Sequence, residues 1–252
     1  MNKFNQYFRK SVRRVLEHFS SVPPDDSFET HERFVRVVYG TVREKYRTFI
    51  LSETQLSDLR DAFAQAPRTD AMPRTKGMKY VSSNHPPDVY NSLNRDYIYL
   101  DCKDMDRPIQ ALLNVHSVEI ERACGSPFCA VNVRAWETNS EANEFGPSAW
   151  HQDGFAPGHL KLMIYLEGLG GDLGSLELEG LGTIEGPSGL VVLFQNSDIT
   201  HRAVPAKTGG RRPLIEVTLQ RVLRRPASFL PQIGDNNDRH LSDPFLAYEV
   251  SK

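Results

Sequence analysis

The 252-residue chain holds few of the signals that would settle its class at once. Its cysteines number three, Cys102, Cys124 and Cys129, with no Cys-x-x-Cys spacing. An odd, scattered set argues against a disulfide framework and for free thiols in a reducing, cytoplasmic setting. No apolar run approaches the roughly 20 residues that span a bilayer, so no transmembrane segment is expected. The basic residues 1–20 contain no continuous apolar stretch of the kind a secretory leader requires. Charge of one sign is lacking as well. Lys and Arg total 30 against 32 Asp and Glu, for a formal net charge of −2. That balance gives no phosphate-tracking surface and excludes a nucleic-acid partner on electrostatic grounds. Internal repeats and low-complexity linkers are missing too.

The composition is 39% apolar and 25% charged, enough to build a buried core. Helical periodicity is expected over residues 3–19, where Phe4, Phe8, Val12, Val15, Leu16 and Phe19 recur among basic residues. Further helices are expected over 29–47, over 53–65 behind a Ser52 cap, and over 105–123. Residues 66–97 read as loop with a short strand. The texture changes after Gly125. Phe128–Trp136, His159–Leu166, Leu173–Leu178, Leu190–Phe194 and Pro213–Val222 have strand character, and ten glycines fall from Gly154 to Gly189. Short antiparallel strands with tight turns predict a jelly roll. The expected fold is mainly β, with a cupin-like double-stranded β-helix in the C-terminal half braced by N-terminal α-helices. One domain is expected over 1–252, with a bracing region 1–125, a β core 126–222 and an extension 223–252.

Within the β half, His151-Gln152-Asp153 places an imidazole and a carboxylate two residues apart. On a strand these two side chains share a face. His201 follows fifty residues later, just beyond an apolar strand. Two imidazoles and one carboxylate form a facial triad that suits Fe(II) and leaves coordination positions open for chemistry. Arg211 and Arg212 come ten and eleven residues further on. Period two puts Arg212 with Leu214, Glu216, Thr218 and Gln220, and Arg211 with the apolar set Pro213, Ile215, Val217 and Leu219. The apolar face is expected under helices and the polar face toward the interior, which favours Arg212 over Arg211 as the inward arginine. On the strand 128–136, Asn132 and Arg134 share a polar face and are candidate ligand contacts, with a solvated edge as the alternative. Tyr165 is another candidate beside Arg212, with a core tyrosine as the alternative. His18, His31, His85, His116, His159 and His240 have no partner at ligand spacing. Residues 76–94 read either as a lid or as a plain connection.

In order, Trp150-His-Gln-Asp-Gly154, Gly174-Ser-Leu-Glu-Leu178, Gly189-Leu-Val-Val-Leu-Phe194, Thr200-His-Arg-Ala-Val204 and Arg211-to-Leu219 resemble the Fe(II)/2-oxoglutarate-dependent dioxygenase superfamily, and within it the phytanoyl-CoA dioxygenase-like branch. The likeness spans about residues 128–222. It implies His151, Asp153 and His201 as metal ligands and catalytic centre. It also implies Arg212 as the two-pronged clamp on the far carboxylate of 2-oxoglutarate, with Tyr165, Asn132 and Arg134 as further cosubstrate contacts. The implied cofactors are Fe(II), 2-oxoglutarate and O2, and the implied reaction is hydroxylation of a small-molecule or carrier-linked metabolite with release of succinate. Asp153 stands where family halogenases carry a small residue, so hydroxylation or a related oxidation is expected. One departure is the short Gly180-Leu-Gly-Thr183, where the family usually has a Pro-Gly-Ser-His-like segment. A cupin-like isomerase or non-redox binding protein is the competing reading, and Arg212 separates the two, because such a protein has no use for a carboxylate clamp. The AlkB-like nucleic-acid demethylases carry a second arginine six residues after the first, and here that position is Thr218.

Overall fold

The computed structural model describes residues 42, 44–69, 97–100, 105–138, 148–152, 159–196, 198–207, 211–222, 225–226 and 228–230, with the backbone alone at 68–69, 97–100, 131–132 and 159. The expected helix at 3–19 and the segment 76–94 lie outside these residues.

Ten strands and two helices make up the described fold. In chain order they are β1 (Tyr46–Ile50), α1 (Glu53–Gln65), β2 (Arg68–Thr69), β3 (Tyr97–Leu100), α2 (Asp106–Cys124), β4 (Phe128–Thr138), β5 (His159–Tyr165), β6 (Leu176–Leu178), β7 (Gly182–Ile184), β8 (Leu190–Phe194), β9 (His201–Ala203) and β10 (Arg212–Arg221). A seven-stranded antiparallel sheet runs β1-β8-β5-β10-β4-β3-β2, and a three-stranded sheet runs β7-β6-β9. His151 forms a further antiparallel bridge to His201, which adds the 150–152 segment to the free side of β9. Two sheets whose strands alternate along the chain are the double-stranded β-helix expected from the sequence.

Both helices form for local reasons. Ser52 caps α1 in a full capping box with Gln55, satisfying donors that the first turn leaves orphaned. Leu56, Leu59 and Phe63 bury one stripe of that helix. In α2, Ile109, Leu112, Leu113, Ile120 and Ala123 do the same, and Gly125 closes the helix in the left-handed region, φ 75°, donating to the Glu121 carbonyl. These stripes pack on the outward residues of the large sheet, among them Val133, Leu162, Ile164, Val191, Leu193, Ile215 and Val217, as one core. A second core lies between the sheets. It joins Trp136, Met163, Tyr165, Leu190, Val192, Phe194 and Leu214 of the large sheet to Leu176, Leu178 and Ile184 of the small one. The period-two split of β10 therefore falls as expected, apolar residues under helices and the mixed row inward.

Several boundaries differ from expectation. Residues 46–47, assigned to a helix over 29–47, begin β1, which pairs with β8 from Tyr46 opposite Phe194 to Ile50 opposite Leu190. Thus the N-terminal half supplies sheet edges as well as helices. The strand expected over 173–178 is confined to 176–178, because a 3-10 turn occupies Gly171–Leu173. The last strand begins one residue early, at Arg212. Among the described residues no helix is long and apolar enough to cross a membrane.

Leu59 is wholly buried beneath the large sheet. Leu59→Ala is expected to lower stability by about 2–5 kcal/mol, the usual cost of such a cavity, read from the midpoint of urea unfolding at unchanged slope.

Candidate functional site

The two histidines are brought together by backbone bonds. His151 N–H donates to the His201 carbonyl at 3.0 Å, and His201 N–H donates back at 2.8 Å. Such a mutual pair sets the two residues directly opposite each other on one face. Their rings follow, with centroids 4.4 Å apart at 49°. Trp150 and Gln152, on either side of His151, are exposed, as strand alternation requires. The Gln152 amide reaches Thr200 Oγ1 at 3.4 Å and so ties this segment to the turn ahead of His201.

Each ring is also oriented by a backbone carbonyl two residues before it. His151 Nδ1 lies 2.8 Å from the Ala149 oxygen, and His201 Nδ1 lies 2.9 Å from the Ile199 oxygen. A carbonyl only accepts, so Nδ1 carries the hydrogen in both rings. In the neutral imidazole the lone pair is then on Nε2. This is the outer-shell arrangement that prepares histidine for a metal. Phe194 sets its ring edge against His201 at a centroid distance of 4.9 Å, closing one side with hydrocarbon. Asp153 lies outside the described residues, and no group of three metal-binding side chains occurs among those described.

Arg212 opens β10 and is buried, whereas Arg211 is exposed and lies 3.6 Å from Glu137. The Arg212 side chain crosses between the sheets. Its Nη1 donates to the Leu173 carbonyl at 3.2 Å and to the Val204 carbonyl at 3.1 Å. Val204 follows β9 three residues after His201, roughly 10 Å along an extended chain. Arg212 Nε is buried with no hydrogen-bond partner. A guanidinium with an unused buried donor suits an added carboxylate. The lone-pair nitrogens of the histidine pair suit a borderline metal. The described residues therefore fit a divalent metal with a dianionic chelator.

Tyr165 is buried on the same inner face, opposite Leu214 of β10. Burial pushes its hydroxyl up to about 12, the Arg212 charge pulls it down, and Glu216 adds to the rise. Tyr165 thus stays a neutral hydroxyl at physiological pH.

Arg134 also faces inward, but its guanidinium is engaged by Glu216. Arg134 Nε donates to Glu216 Oε1 at 2.9 Å and Nη2 bonds the same oxygen. Lys161 Nζ lies 3.2 Å from the other carboxylate oxygen. Glu216, for which no role was expected, is therefore the hub of a buried ion cluster. Its place on the Arg212 face was the available signal. Asn132 is paired in register with Thr218, and its side chain lies outside the described residues. The carbonyls that orient the histidines and Arg212 have no sequence signal, because any residue supplies one.

No family model matches the chain, and no curated protein does. Solved structures do match. The non-heme alpha ketoglutarate dependent epimerase SnoN from nogalamycin biosynthesis is 14% identical, with a TM-score of 0.51, over 81% of this chain and 90% of its own. The same epimerase in complex with Fe3+, alpha ketoglutarate and nogalamycin RO gives a TM-score of 0.50 at 13% identity, over 81% and 91%. HygX from Streptomyces hygroscopicus, with nickel and 2-oxoglutarate bound, is 12% identical over 75% and 87%, at a TM-score of 0.46. At these identities the SnoN likeness establishes the shared fold.

Gly174 sits at φ +74°, and a Cβ there would overlap the Val204 carbonyl oxygen that holds Arg212. Gly174→Ala is expected to lower the unfolding midpoint by several degrees, from at least about 2 kcal/mol of strain and overlap. A crystal structure of the variant should show the Val204 carbonyl displaced.

Proposed function

We propose that the chain is a non-haem Fe(II)- and 2-oxoglutarate-dependent oxygenase that hydroxylates or otherwise oxidises a small molecule. The observation that carries this reading is the pairing of two kinds of group between the sheets. A histidine pair is locked with Nδ1 protonated, and a buried guanidinium with one unused donor lies beyond the end of the same strand. A metal isomerase accounts for the first and leaves the second buried at a cost without a task. The SnoN complex, which contains Fe3+ and alpha ketoglutarate on a shared fold, supports the same assignment.

In this reading His151, Asp153 and His201 hold the ferrous ion. Arg212 binds the distal carboxylate of 2-oxoglutarate through Nε and the guanidinium face not used by Leu173 and Val204. When bound, the metal and keto acid supply an oxidant from O2, with decarboxylation to succinate. The chain's own residues orient and shield. The carbonyls of Ala149 and Ile199 fix the tautomer, so that each neutral imidazole presents the Nε2 lone pair to a metal. Phe194, Met163, Val192 and Leu214 keep water from the inner face, which strengthens the ion pair made by Arg212. Tyr165 stands beside Arg212 as a neutral hydroxyl, able to donate to the same carboxylate. Glu216 holds Arg134 and Lys161 in place, so that neither competes with Arg212 for the cosubstrate.

Anaerobic addition of Fe(II) and 2-oxoglutarate should produce the weak visible charge-transfer absorption of the iron–keto acid chelate. With O2 admitted, succinate should accumulate. His201→Ala is expected to abolish the band. Arg212→Gln should keep metal binding and raise the KM for 2-oxoglutarate about 10- to 100-fold, the loss of one charge-assisted contact. A wild-type protein that binds neither ferrous ion nor the keto acid would refute the reading.

A further inference from the structure

The inner row of β10 does not end at the ion cluster. Beyond Glu216 come Thr218 and Gln220, each 1% exposed. Thr218 Oγ1 and both the amide oxygen and nitrogen of Gln220 are buried without a hydrogen-bond partner. Their described neighbours explain why. Lys161 lies beside Thr218 in register, but its ammonium is turned to Glu216. Cys129 lies beside Gln220, and a buried thiol is a weak partner for an amide. Each orphaned polar group destabilises the fold, because its lost hydration is not replaced. Two of them in adjacent positions on one face of a core strand form a set with a shared cause.

Their position supplies the cause. Lys161 pairs on its other side with Phe194, whose ring abuts His201. Thr218 thus lies two strand spacings, about 9.6 Å, from the strand that contacts the histidine pair. Arg212 stands at the opposite end of the same row. The inner face therefore has a cation at one end and unused neutral donors and acceptors at the other, with the histidine pair facing the second end.

We infer that Thr218 and Gln220 form the substrate-binding subsite, and that it takes a neutral group that both donates and accepts hydrogen bonds, such as a hydroxyl pair or a carboxamide. The placement of this subsite beside the reacting centre rests on the oxygenase reading above. A hydroxyl and a carboxamide each offer a donor and an acceptor and carry no charge. A hydrocarbon would leave all three atoms unsatisfied. A simple anion would use the donors and oppose the Gln220 oxygen.

Two near-isosteric variants, Thr218→Val and Gln220→Met, test this in the protein without added metal. If the groups wait for a ligand, removing them relieves the ligand-free protein, and each variant should raise the Tm by about 2–4 °C. In calorimetric titrations, at least one of myo-inositol, N-acetylglucosamine and nicotinamide should bind wild type and lose tenfold or more affinity in both variants, while decanoate should not bind. A Tm that falls or stays unchanged would mean that the groups serve the fold, and overturns the subsite. So does binding of decanoate in place of the three polar probes, or binding of none of them. The charge-transfer assay on wild type keeps the two readings apart. A band with failed probes removes the subsite alone, whereas bound probes without a band remove the oxygenase and leave a polar site.

Discussion

The structure depends on one strand being buried along both faces. β10 lies in the middle of the large sheet between β5 and β4, and all its residues but the half-buried Pro213 are buried. Ile215, Val217 and Leu219 face the helices and join the outer core. Arg212, Glu216, Thr218 and Gln220 face the small sheet and are equally buried. A buried charge is tolerated only with partners, and removing one partner of such a set costs several kcal/mol. Each charged residue on this row must therefore be answered by something the fold brings to it. The carbonyls of Leu173 and Val204 answer Arg212, and Arg134 and Lys161 answer Glu216. The requirement fixes the register of three strands at once, because a slip by one residue would turn the row toward the helices.

The same alternation is why the site was partly legible in the sequence. Period two is a property of the chain alone, and it separates Arg212 from Arg211 before any partner is known. It also separates His151 from its exposed neighbours. The long apolar strands β4, β5, β8 and β10 declare themselves for that reason. β1 does not, because Tyr46–Ile50 alternates weakly and follows residues with helical periodicity. Only its distant pairing with β8 makes it a strand. β9 is three residues long, too short for any periodic signal, yet it carries His201. What no sequence reading could supply is the backbone chemistry. The carbonyls that set both imidazoles and hold Arg212 belong to Ala149, Ile199, Leu173 and Val204, residues whose side chains say nothing of the task.

This arrangement requires glycine at one position. Gly174 lets the turn before β6 approach the strand exit after β9 so closely that no side chain fits between them. That approach brings the Leu173 and Val204 carbonyls together around one guanidinium nitrogen. The Gly174-Ser-Leu176 segment is thus tied to Arg212.

The inner row also divides by how fully its polar groups are answered. At Glu216 the fold spends two cations on one carboxylate and completes the cluster from its own residues. At Arg212 it answers Nη1 and leaves Nε. At Thr218 and Gln220 it answers nothing. If burial alone governed this face, the cheapest sequence would place valine and methionine at the last two positions, since apolar side chains of that shape cost less than orphaned polar ones. Oxygen and nitrogen in those places lower the stability of the ligand-free fold. The polar groups therefore have their use in a state of the protein other than the ligand-free one. A bound molecule is the component that such a state adds, and the unanswered atoms describe the complementary surface that molecule presents.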